Sequence, residues 1–272
     1  MRPPPSAPTL QLRPLSVAGR YHVAWLAAAL VIALAAAHSG AAPAPDVWKP
    51  VAATPGDVNA KLAVIDKSGL SAPLPVRPAV EFQKILVRIA SSEPMADCRA
   101  DLEKFAKATG EDPVVKSLRE LALCWEARAR MQEIDKALRL FYRKNVRFPD
   151  KLDDVRADIP ADAKTDPWGD AWVYKSATAK TFAEIAKQRY QLGPTKYPQL
   201  LPIADALKAP APTNWKITPK DVAGAKALEI RTPEGAAAVV QAGGRVGDAT
   251  LAFLGDGWAL FADAQRLFTV SF

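Results

Sequence analysis

The chain has 272 residues and a net charge of +7, with 36 lysines and arginines against 29 acids. Its length fits one large domain or two small ones. Three of the arginines lie in the first 41 residues, which contain no acid, so the remainder carries only +4. That charge is too small to indicate a nucleic-acid-binding protein. Both histidines, His22 and His38, also lie in this first segment. The rest of the chain therefore has no histidine for a Ser-His-Asp triad, a Cys-His pair or a zinc site.

The first 41 residues have the composition of an export or membrane segment. A basic, proline-rich start is followed by 15 apolar residues, 23–37, and then by small residues. This order is typical of a secretory signal peptide, and with its flanks the run also approaches the length of a single-pass membrane anchor. Both interpretations stay open. Both place the remainder outside the cytoplasm, as a periplasmic, inner-membrane-anchored or secreted protein, because the positive flank stays inside.

Residues 42–78 are rich in proline and show no sustained hydrophobic period. They predict an extended linker with a short turn or strand at 61–66. Helical spacing of apolar residues starts at Ala79, so we expect a folded domain over 79–197.

Three helices are predicted at the start of this domain. The second begins near Ser92, and the third begins at Asp112, an N-cap residue followed by Pro113 at the first helical position. The apolar pattern of the third helix continues to about Asn145. The basic residues scattered around these helices are expected on solvated faces: Lys84, Arg88, Arg128, Arg130, Arg139, Arg143, Lys144 and Arg147.

The two cysteines, Cys98 and Cys124, lie on the second and third predicted helices. Their midpoint is residue 111, inside the predicted turn, so an antiparallel helical hairpin would bring them to the same height. An exported protein meets an oxidising environment, and we therefore predict a Cys98–Cys124 disulfide. The alternative is a pair of buried free thiols in an apolar seam.

A block of aromatic and turn residues follows the third helix. An aromatic–proline pair ends the helix, an Asp-Pro-Trp-Gly sequence predicts a turn, and two aromatic residues two positions apart share one face of a strand. The residues are Phe148, Pro149, Asp166, Pro167, Trp168, Gly169, Trp172 and Tyr174. With the preceding helix, this block resembles the globular part of type II secretion major pseudopilins over residues 131–197. The resemblance implies a long helix packed on a small antiparallel sheet.

Two features of that family are not matched. Its start, a Gly-Phe pair with a glutamate five residues in, has no counterpart at Gly19. Its calcium-binding loop corresponds to residues 193–203, which contain no acid, so the family's calcium ligands are not matched. No cofactor is expected, and calcium stays the one alternative that the resemblance leaves open. Seven aspartates between 150 and 170 alternate with basic residues and favour a solvated acidic loop over a calcium site.

The C-terminal part predicts a second linker over 198–226 and a separate small β-meander or barrel over 227–272. Short apolar runs alternate with turn residues there, and Gly255–Gly257 predicts a tight hairpin. The last segment also faintly resembles the periplasmic homology domain of secretion and pilus alignment proteins. A generic small β-domain stays the alternative.

The sequence thus predicts an α+β protein without enzymatic activity. The resemblance implies a scaffold or assembly subunit of a type II secretion or pilus-like envelope system, a function in protein transport. The expected partners are other envelope secretion or pilus proteins and the inner membrane, with no nucleic acid and no small-molecule substrate. The alternative is an exported periplasmic binding or adhesive module that reuses a pseudopilin-like fold.

Overall fold

The computed structural model describes residues 57–176 and 189–272, apart from residues 213 and 234. The predicted signal or anchor segment, 1–41, lies outside these residues. Within the part of the chain that the structure describes, no helix is both long and apolar enough to cross a membrane.

The linker predicted over 42–78 is wrong for part of its length, because helix α1 (Val58–Ser71) lies inside it. The helix begins after Asp57, whose side chain accepts a hydrogen bond of 2.8 Å from the backbone N–H of Ala60. This is an N-cap, which satisfies one of the backbone donors that a helix start leaves unpaired. The nearby prolines flank the helix without interrupting it.

Helix α1 packs against helix α2 (Arg77–Ala90), and a 3-10 turn at Leu74–Val76 joins the two. The contact is close at Gly69, where an added Cβ would lie 2.8 Å from Cγ1 of Val80. Any larger residue at position 69 would therefore push the two helices apart.

The predicted long helix is confirmed. Helix α3 (Met95–Ala106) precedes it, and helix α4 runs over Pro113–Asn145, about 50 Å at 1.5 Å per residue. Asp112 caps α4 by accepting a 2.8 Å hydrogen bond from the N–H of Val114. The cap and the proline are adjacent in sequence, so the start of this helix could be predicted from a local pattern.

The structure has no bond between the two cysteines, so the predicted disulfide is not formed. Cys98 packs with α2 and α3 in one apolar cluster, whereas Cys124 packs in another, beneath the sheet described next. Burial raises the pKa of the Cys124 thiol to about 12, so this group stays protonated and unreactive at neutral pH. Arg99 of α3 contacts Glu126 of α4 at 2.7 Å, so the helices do run side by side here, but the two cysteines point into different clusters.

A reductant is therefore expected to leave the melting temperature of the protein unchanged. A thiol reagent should react slowly with the native protein, since both cysteines are fully buried, and with two groups after denaturation. A disulfide closing this loop would instead stabilise by about 3 kcal/mol. A clear fall in melting temperature on reduction would contradict the structure at this point.

The second half of α4 carries a two-stranded antiparallel sheet, β1 (Val173–Ser176) and β2 (Tyr190–Gly193). Ile134 and Leu138 of the helix pack in one buried cluster with Trp172, which directly precedes β1, and Leu192 of β2. The chain between helix and sheet contains two 3-10 turns, Leu152–Val155 and Ala161–Ala163. The predicted packing of a long helix on a small antiparallel sheet is confirmed.

The second linker, predicted over 198–226, is also wrong for part of its length. It contains helix α5 (Ile203–Lys208) and strand β3 (Lys216–Val222). Beyond β1 and β2, seven strands of the described residues form two further antiparallel sheets, ordered β3-β4-β5 and β6-β7-β8-β9. The further strands are β4 (Ala225–Arg231), β5 (Ala237–Val240), β6 (Arg245–Val246), β7 (Ala249–Leu254), β8 (Trp258–Ala262) and β9 (Leu267–Ser271).

The four-stranded sheet does not belong to a separate module, because both of its faces are covered. Along β8, Trp258 and Leu260 pack into the cluster of α1–α4, while Ala259 and Phe261 pack toward the three-stranded sheet. This alternation follows from the two-residue period of a strand. The protein is a mixed α+β structure in which helices, a four-stranded sheet and a three-stranded sheet form successive layers. The predicted hairpin at Gly255–Gly257 is present between β7 and β8.

Candidate functional site

The aromatic–proline pair fixes the end of α4 to the two-stranded sheet. The Phe148 ring lies with its centroid 4.8 Å from those of Tyr142 and Tyr190. The hydroxyl of Tyr174 donates a 2.9 Å hydrogen bond to the backbone oxygen of Pro149. The pair therefore acts as a structural joint between helix and hairpin.

The Asp166–Gly169 turn is held by a buried carboxylate. Asp166 is 1% exposed, and its Oδ1 accepts hydrogen bonds from the backbone N–H groups of Trp168 (3.0 Å) and Asp170 (2.9 Å). Its Oδ2 accepts a third, at 3.2 Å, from the N–H of Thr195, which follows β2. Gly169 adopts φ +95°, a conformation that favours glycine. One side chain thus closes the turn that Pro167 begins and joins it to the far strand.

The two tryptophans of the motif support the same unit. Trp172 is buried, and its Nε1 donates a 2.9 Å hydrogen bond to the backbone oxygen of Ala163. Trp168 is half-buried, with its ring centroid 5.6 Å from that of Tyr197 and the Lys196 ammonium 5.5 Å above it. Both rings pack in the same hydrophobic cluster, which fits a core role, and Nε1 of Trp168 is buried without a hydrogen-bond partner among the described residues.

Several aspartates near the motif are paired with arginines or bonded to the backbone. Asp162 pairs with Arg99, and Asp153 pairs with Arg156. No group of three or more His, Cys, Asp or Glu side chains in the described residues is placed to hold a metal ion.

A cleft that the sequence did not indicate lies beside the motif unit. It has a volume of about 1020 Å³ and runs between the second half of α4 and residues 189–204. Its walls are partly apolar, with Met131, Leu200 and Leu201, and partly amide, with Gln132 among them. The charged residues among the described lining residues are Arg128, Asp135, Arg139, Arg143 and Arg189.

Arg128 is buried, contrary to the expectation of a solvated face. It is 1% exposed, and it donates hydrogen bonds to the backbone oxygens of Leu201 (3.0 Å, from Nε) and Ala264 (2.8 Å, from Nη1). Its Nη2 has no hydrogen-bond partner. The guanidinium carbon also lies 4.6 Å from the ring centroid of Trp125. Burial lowers the pKa of Arg128 to about 10, so the group is still charged at neutral pH.

The negative charge of the aspartate in the cleft, Asp135, is already paired. Asp135 accepts a 2.6 Å hydrogen bond from Nε of Arg139 and another from the hydroxyl of Tyr190. Burial and this carboxylate together raise the pKa of Tyr190, so the phenol keeps its proton. Arg128, in contrast, bonds only to neutral carbonyls. The described lining is therefore cationic in character.

A smaller cavity of about 200 Å³ lies between α4 and the β8–β9 turn. Glu120 on its wall forms an ion pair with Lys196 (2.6 Å) and accepts a 2.9 Å hydrogen bond from the Tyr197 hydroxyl. The Oγ of Ser117 is buried there without a hydrogen-bond partner, so no base contacts this hydroxyl.

The cleft has one sequence signal that could have revealed it. Residues 128, 132, 135, 139 and 143 recur at intervals of three and four, which places them on one stripe of α4. The stripe is polar, and a polar stripe on a helix is usually a solvated face; only the packing of residues 189–204 over it makes a cleft. Comparisons with protein-family models, with curated proteins and with solved structures found no match for this chain.

Proposed function

We propose that this protein is a non-enzymatic scaffold subunit of a type II secretion or pilus-like envelope system. The observation that carries the proposal is the unit formed by the second half of α4, the Phe148–Pro149 joint and the hairpin closed by Asp166. These residues contact one another as the resemblance to the major pseudopilins implies. In this proposal the unit is a rigid support for contacts with other envelope proteins.

The surface proposed to meet those proteins is the edge of the four-stranded sheet. Among the strands that the structure describes, β9 pairs with β8 alone, and in this proposal its outer backbone groups bond to a partner strand. Strand β3, at the edge of the other sheet, carries Lys216, Pro219 and Lys220, which protect an edge against pairing. The faint resemblance of residues 227–272 to the periplasmic homology domain implies a secretin as the partner.

The test is a site-specific photocrosslink in the native host. A photoreactive residue at Ser271, the exposed last residue of β9, should form a covalent adduct with the secretin or with an inner-membrane assembly protein. The same residue at Lys104, which is 75% exposed on α3, is the matched control and should form none. Deletion of the gene should also abolish export of the system's substrate. Normal export without this protein would refute the proposal.

The cleft favours a second candidate function, an exported binding module. A volume of about 1020 Å³ with apolar walls and a few polar groups is typical of ligand sites. Under this alternative, export is unaffected by deletion, and a ligand copurifies with the protein.

A further inference from the structure

We propose that the cleft binds a ligand with a carboxylate group on an apolar body, and that the carboxylate bonds to Nη2 of Arg128. The inference does not rest on the secretion-system proposal. It rests on one buried, incompletely bonded guanidinium at the floor of a large cleft with apolar walls.

The first step concerns the unpaired hydrogen-bond donor of Arg128. Two of its nitrogens are committed to the carbonyls of Leu201 and Ala264, and the third, Nη2, is buried without an acceptor. A buried charged donor that lacks a partner is costly, and an anionic acceptor recovers that cost. Arg128 lines the cleft and is only 1% exposed, so the acceptor must reach the cleft floor.

The second step is the charge that surrounds the floor. Asp135 is bonded by Arg139 and Tyr190, so it does not neutralise Arg128. The nearest acid on the far side is Asp263, whose carboxylate accepts from the backbone N–H groups of Gln265 and Arg266 and lies 3.8 Å from the Arg266 guanidinium. Arg139 and Arg143 lie on exposed α4 positions that line the cleft, where they attract an anion.

The third step is the choice of a carboxylate over a phosphate. Nη2 offers two N–H groups from a single nitrogen, whereas a phosphate dianion presents three oxygens that need several donors. The neighbouring walls are apolar, with Met131, Leu200 and Leu201, and they match a hydrocarbon chain or apolar side chains next to the anionic group. A free organic acid and the C-terminus of an apolar peptide share this chemistry.

The experiment measures binding to the full-length chain by calorimetry with four probes. They are octanoate, an acetylated tetrapeptide Ala-Ala-Leu-Leu with a free C-terminus, its C-terminal amide, and inorganic phosphate. We expect the acid peptide or octanoate to bind at least about tenfold more tightly than the amide and phosphate, since a charge-assisted hydrogen bond is lost in the amide. Preference for octanoate identifies a small organic acid as the source, and preference for the peptide identifies a chain terminus.

Two variants and one control show where the ligand binds. Gln132→Trp fills the cleft from an exposed helix position and should weaken binding about tenfold or more, whereas Lys136→Trp, one turn along and outside the lining, should leave it within about twofold. Arg128→Lys keeps the charge but removes the forked donor, and it should also weaken binding about tenfold.

Equal binding of acid and amide, tight binding of phosphate, no binding of either acid, or an unaffected Gln132→Trp variant would each overturn the inference. None of these results bears on the crosslink at β9.

Discussion

Replacement of Asp166 by alanine should lower the free energy of unfolding by about 3 kcal/mol. The carboxylate accepts hydrogen bonds from the backbone N–H groups of Trp168, Asp170 and Thr195, and its removal leaves three donors without a partner in a partly buried turn. Each buried donor left unpaired costs about 1–3 kcal/mol, and partial entry of water reduces the sum. Denaturant titration, analysed with the same m-value for both proteins, measures the change in the free energy of unfolding.

Two further variants identify the cause of this loss. Asp166→Asn keeps one oxygen for Trp168 and Asp170 but turns an amide donor toward the N–H of Thr195, so we expect an intermediate loss. Asp170→Ala, in the same turn but exposed, should change stability by less than about 0.5 kcal/mol. Equal losses for Asp166→Ala and Asp170→Ala would show that the turn sequence matters and the buried carboxylate does not.

Replacement of Trp125 by alanine should cost about 4 kcal/mol, the largest loss that we expect from a single change. The side chain is 1% exposed near the middle of α4, and its Nε1 donates a 3.1 Å hydrogen bond to the backbone oxygen of Gln265 in the β8–β9 turn. It also lies against the guanidinium of Arg128. The substitution removes core volume, a hydrogen bond between layers and a cation–π contact together.

The same variant tests whether helices and sheets form one cooperative unit. Trp125 belongs to the cluster shared by α4 and the four-stranded sheet. Circular dichroism of the helices and fluorescence of Trp215, directly before β3, and Trp258 of β8 should therefore show one unfolding transition, with the same lowered midpoint. Leu140→Ala, at a half-exposed position of the same helix, should cost less than about 1 kcal/mol. A sheet transition that stays unchanged in Trp125→Ala would support the separate C-terminal module that the sequence predicted.

The elements that were predicted correctly depend on residues that are neighbours in the chain. Asp112 and Pro113 begin α4, and Gly255–Gly257 turn β7 into β8, through hydrogen bonds and backbone angles that span only a few residues. The cap of α1 by Asp57 is equally local, but the sequence interpretation of this segment was based on its prolines alone. Prolines outside a helix do not prevent the helix from forming.

The errors concern contacts between residues that are far apart in sequence. Strand β8 is apolar on both faces, a pattern that is typical of a sheet covered on both sides. The sequence interpretation did not use this pattern. Cys98 and Cys124 were placed at equal height, but the rotation of each helix about its axis sends them into different clusters. Spacing along a helix defines a face, and only packing decides what that face meets.

The sequence by itself determined the long helix, its cap, the Asp166 turn and the hairpins, because their hydrogen bonds and backbone angles are set by adjacent residues. The tertiary structure alone decided the burial of Arg128 and the existence of the cleft beside it. The carbonyls that Arg128 bonds belong to Leu201 and Ala264, which are 73 and 136 residues further along the chain. No local pattern encodes such partners, since they meet only when the helical and sheet layers pack.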